Sequence, residues 1–105
     1  MDMNNLLESE YSKRFDYLRK NRMLVSFEKY GPVKENYETK LISAIDNLQK
    51  RIELYKETGN TEYLADVANF AMIEFMYPQH EKAHFDDLSF SPGLGNMTYR
   101  DIEKL

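Results

Sequence analysis

The sequence predicts an all-α fold: an antiparallel bundle of three main helices, with an irregular C-terminal tail and a short terminal helix. Three observations carry this. Leu41, Ile45, Leu48, Ile52 and Tyr55 step by four, three, four and three, which lines one face of a helix with apolar side chains. From Leu64 to Tyr77 the chain is apolar almost all the way round, as in a helix packed on several sides. Gly31-Pro32, Gly59 and Pro78 punctuate the helical stretches, and each disfavours continuation of a helix.

The first helix is expected over about 6–29. Leu7, Tyr11, Phe15 and Leu18 form a stripe that Met23, Leu24, Phe27 and Tyr30 continue. The polar RKNR segment between them is a place for a bend, and Lys13, Arg14, Arg19, Lys20 and Arg22 crowd this element. The second helix is expected over 34–57, ending at Gly59 in the left-handed conformation. The third spans 61–77, with Asn60 or Thr61 as cap and Glu62 in the first turn, where a carboxylate favours the helix dipole. Residues 78–105 form the tail. It has turn signals at Ser91-Pro92-Gly93 and Gly95-Asn96, then a capping-box variant at Thr98-x-x-Asp101. The expected core is Leu41, Ile45, Leu48, Ile52, Val67, Phe70, Ala71 and Ile73. Tyr11, Tyr55 and Tyr77 fall on apolar stripes, whereas Tyr37, Tyr63 and Tyr99 are freer to face solvent.

The chain has 105 residues, which suits one domain with one modest core. It has no cysteine, so it carries neither a disulfide framework nor a thiolate site. Residues 1–14 lack the basic start and apolar run of a secretory signal, and no apolar run is long enough for a membrane span. The expected location is the cytoplasm of a host cell, with no membrane partner. A net charge of −4 disfavours direct nucleic-acid binding and suits a basic protein partner, or simple solubility.

The most informative residues are Glu62, Asp66 and Asn69, which interrupt the apolar third helix at helical spacing. A buried carboxylate or amide is costly without a partner. Another helix, a metal, a ligand or a partner chain must therefore meet Asp66 and Asn69. A more conspicuous motif is His80-Glu81-Lys82-Ala83-His84, which matches the HExxH pattern of zinc proteases. That chemistry needs the motif inside a long helix. Here Pro78 and Ser91-Pro92-Gly93 bracket it closely, so two exposed loop histidines are expected and no catalytic role is assigned to Glu81.

Glu35-x-x-Glu38 and Asp66-x-x-Asn69 each place two oxygen-bearing side chains on one helical face. Two such helices can clasp a hard cation. This pairing resembles the MazG-like all-α nucleoside triphosphate pyrophosphohydrolases, with Asp66 and Asn69 standing where that family has Glu and Asp. The resemblance spans about residues 29–77. It implies Mg²⁺ held by Glu35, Glu38, Asp66 and Asn69, with Glu35, Glu38 and Asp66 catalytic, or an inactive descendant. Asn69 brings no charge to such a site, and Glu35 and Glu38 are also ordinary helix-start residues.

The segments KYGPVKENY (29–37) and GNTEYLADVANFAMIEFMYPQH (59–80) resemble segments of small proteins carried by phages and prophages. In size and charge the chain is similar to phage anti-defence proteins of the type II-A anti-CRISPR kind. That resemblance implies a non-enzymatic protein–protein inhibitor that binds a basic, RNA-guided effector nuclease. It implies no cofactor, no catalytic residue and no particular binding residue. Exposed helical edges leave room for a homodimer. Eight tyrosines without a tryptophan fit either an interface or an aromatic-filled small core.

Overall fold

The computed structural model describes residues 2–86, all of whose regular structure is helical. A short 3-10 helix, Met3–Asn5, precedes α1 (Lys13–Tyr30), α2 (Val33–Tyr37), α3 (Ala44–Thr58) and α4 (Glu62–Met76). The turn signals and capping box expected at 91–101 lie outside the described residues.

Each long helix begins where a side chain can cap it. Ser12 Oγ accepts from Phe15 N at 2.9 Å, so α1 starts at Lys13 rather than near residue 6. Ser43 Oγ accepts from Asp46 N at 3.0 Å and opens α3. Asn60 Oδ1 accepts from Glu62 N at 3.1 Å at the start of α4. Such caps satisfy backbone donors that have no carbonyl partner in the first turn. Gly59 ends α3 at φ 72°, donating its N–H to Tyr55 O. This is the left-handed cap that glycine adopts without strain.

The expected helix over 34–57 is two helices. Its α2 part closes at Glu38, Lys40 takes φ 61°, and the chain re-enters helix only at Ala44. Gln79 Nε2 ties this break to the end of α4 by donating to Tyr37 O at 3.2 Å and Ile42 O at 2.6 Å. The break corrects the expected core. Leu41 lies in the connection and is 86% exposed, and Ile45 and Ala71 are also exposed. Leu48, Ile52, Val67 and Phe70 are half-buried, and Ile73 is buried with Ala44 and Ala65. Tyr11 precedes α1 and is exposed.

The central helix is α4. Arg22 meets Glu62 and Asp66, while Arg19 meets Asn69, so α1 runs antiparallel to α4. Arg51 meets Asp66 and Gln79 meets Ile42, so α3 also runs antiparallel to it. α3 packs along α4 closely and α1 more loosely, while α1 and α3 scarcely touch. Seven large apolar or aromatic side chains of α1 remain exposed: Phe15, Tyr17, Leu18, Leu24, Val25, Phe27 and Tyr30.

Candidate functional site

Because α1 and α3 flank α4 and scarcely touch, a cleft of about 470 Å³ opens between them, with α2 at one end. Asp66, Asn69, Phe70 and Ile73 of α4 line it, opposite Arg22, Ser26 and Lys29 of α1 and Asn47 and Arg51 of α3. Val33 and Tyr37 of α2 complete the wall with Tyr30 and Ile42.

Asp66 is the buried charge at its centre, with a side chain only 11% exposed. Two arginines hold it. Arg22 forks across the carboxylate, with Nε donating to Oδ1 at 2.9 Å and Nη2 to Oδ2 at 3.1 Å. Nη1 of the same guanidinium donates to Glu62. Arg51 adds Nε to Oδ2 at 3.4 Å and lies over the Phe70 ring at 5.8 Å. The planar fork of arginine matches a carboxylate in a way lysine cannot. Hydrogen bonding to Asp66 pushes the Arg22 guanidinium further above its ordinary value, so it stays charged despite partial burial. Burial pushes the Tyr37 phenol above its ordinary value, and the positive charge of Arg51 opposes that shift.

Asn69 is also buried. Its Nδ2 donates to the carbonyl of Arg19 on α1 at 2.8 Å. A carbonyl can only accept, which sets the orientation of the amide. Asn69 Oδ1 is left buried with no partner among the described residues. The buried polar side chains of α4, Asp66 and Asn69, are thus met by neighbouring helices, except for this one oxygen.

The structure brings Asp66 and Asn69 together as the spacing implied. Glu35 and Glu38 do not join them. Glu35 is exposed on α2, Glu38 is exposed at its C-cap near Lys34, and neither lines the cleft. Among the described residues, no three His, Asp or Glu side chains are grouped so as to hold a metal ion. His80, Glu81 and His84 lie in an exposed turn rather than a helix, and both histidine rings engage the backbone of Lys82.

Sequence reasoning missed Arg22 and Arg51 as partners of Asp66. Arg22 reads as one member of a basic cluster, and Arg51 is not singled out by any local pattern. The available signal was the buried carboxylate itself, which demands a cation from a facing helix. Compared with protein-family models, with curated proteins and with solved structures, the chain finds no match.

Proposed function

We propose that this chain acts without catalysis, by binding and blocking another protein, with a basic nucleic-acid-binding nuclease of the RNA-guided type as its partner. The observation that supports this best is the double-arginine hold on Asp66. A carboxylate that accepts from two guanidiniums is committed to joining three helices. It has little capacity left to coordinate Mg²⁺ or orient a water. The side chains around the cleft mouth suit recognition instead: Tyr30 and Ile42 line it, and exposed Leu41 adjoins Ile42. A net charge of −4 favours encounter with a basic groove.

The test is binding to the purified nuclease, read by calorimetry and by loss of DNA binding at two salt concentrations. The complex should weaken as salt rises and on Glu35→Lys/Glu57→Lys, and should survive Asp66→Asn if the fold does. A parallel incubation with nucleoside triphosphates and Mg²⁺ supplies the opposing outcome. Pyrophosphate release that is lost in Asp66→Asn would make the chain a MazG-like hydrolase and end the inhibitor reading.

A further inference from the structure

We infer that α1 pairs with α1 of a second copy of this chain, antiparallel, through the face that points away from α4. The inward face of α1 carries Arg19, Arg22, Met23 and Ser26, at positions i, i+3, i+4 and i+7. The opposite face carries Lys13, Tyr17, Lys20, Leu24, Phe27 and Glu28. Three of these are large and unpartnered: Tyr17 is 70% exposed, Leu24 57% and Phe27 55%. No other described element covers them, and a row of this kind on one helix marks an interaction surface.

The order of residues on this face selects a second copy as its occupant. Place a twofold axis between residues 20 and 21, so that each residue meets the one whose number makes the pair sum to 41. Tyr17 then lies on the partner's Leu24, and Leu24 on the partner's Tyr17. Lys13 meets the partner's Glu28. Lys13 and Glu28 make no ion pair among the described residues, so their charges are available. The like charges nearest the axis are the two Lys20 side chains, each 70% exposed and 3.6 Å from the Asp16 carboxylate that it shares with Arg19, so they can turn outward to solvent. A parallel pair would instead set Lys13 against Lys13 and Glu28 against Glu28. The surface is therefore complementary to itself in one orientation only, as a twofold interface requires. Tyr17 and Leu24 flank the axis and the Lys13–Glu28 pairs lie at the ends, a layout shared with paired helices in general. The cleft lies between α1 and α3 and stays open in this dimer.

Sedimentation velocity of the full chain across about 1–100 µM tests this, since micromolar self-association falls inside that window. The expected result is twice the chain mass at the upper end. Leu24→Glu buries a carboxylate from each copy at the centre and should raise the dissociation constant about a hundredfold. Lys13→Glu should weaken the dimer, and Lys13→Glu/Glu28→Lys should restore it. The chain has no cysteine, so Tyr17→Cys/Leu24→Cys should give a disulfide-linked dimer under mild oxidation. Tyr17→Cys alone should not, because the two positions 17 lie about 10 Å apart along the axis, seven residues of helical rise. A monomer throughout the range would overturn the inference and leave the face to a different protein. A dimer indifferent to Leu24→Glu, or one cross-linked 17 to 17, would overturn it as well.

Discussion

Replacing Asp66 by alanine tests the clamp at the centre of the bundle. The carboxylate accepts three hydrogen bonds from two guanidiniums, at 2.9, 3.1 and 3.4 Å. Removing one member of a fully buried ion pair costs about 3–5 kcal/mol, because the other charge is stranded. Here the stranded side chains are 41% and 29% exposed, so water recovers part of the loss. The expected cost is therefore about 2–3 kcal/mol, a large share of the stability of a small domain. Asp66→Asn keeps an oxygen for Arg22 Nε but removes the charge, and should cost about 1–2 kcal/mol. The assay is urea unfolding followed by circular dichroism at fixed pH and salt, comparing midpoints at constant slope. Arg22→Met and the double variant Asp66→Ala/Arg22→Met close a thermodynamic cycle. The pair should show coupling of about 1–3 kcal/mol. An Asp66→Ala protein within about 0.5 kcal/mol of the parent, or a cycle without coupling, would refute the idea that these charges hold α1 to α4.

Further outcomes follow from the same structure. Ile73 is 4% exposed and Ile45 41%, so in urea melts Ile73→Ala should cost about 2–4 kcal/mol and Ile45→Ala under about 1. Gln79→Ala frees the carbonyls of Tyr37 and Ile42. Amide exchange should speed up around α2 and the following turn, with a stability loss of about 1 kcal/mol. The Tyr11 hydroxyl, ahead of Arg19 and Lys20, holds the Asp16 carboxyl below its ordinary 3.8, against the opposing effect of desolvation. That contribution is complete above the ordinary value and is lost as pH falls through the depressed one, which an NMR titration of Asp16 would register. The Tyr37 phenol, raised by burial, behaves in the opposite sense. Its contribution is complete below the ordinary 10.0 and disappears as pH rises through the raised value, so the absorbance of the Tyr37 phenolate, isolated by comparison with Tyr37→Phe, should appear above the ordinary value.

Much of the architecture is legible in the chain itself. Helical class, the α3–α4 turn at Gly59 and the buried setting of Asp66 and Asn69 all follow from local pattern. Apolar period, glycine conformation and the cost of burying a carboxylate act over a few residues or on one residue at a time. The break between α2 and α3 left only a faint trace, the cap pair Ser43-x-x-Asp46. The apolar period runs through Leu41 and Ile45 without a fault, and nothing local says that the turn will be held by Gln79 from beyond α4.

Tertiary structure alone decided which face of α1 turns inward. By pattern, the stripe Leu7, Tyr11, Phe15 and Leu18 should have been buried. Instead Arg19 and Arg22 point at α4 and much of the apolar surface faces out. Asp66 supplies the reason. An unpaired buried carboxylate loses more free energy than a few half-exposed apolar side chains forgo, so α4 accepts the arginine face of α1. Asp66 and Arg22 are 44 residues apart in the chain, and no local pattern relates them. Their pairing exists only once the helices are packed.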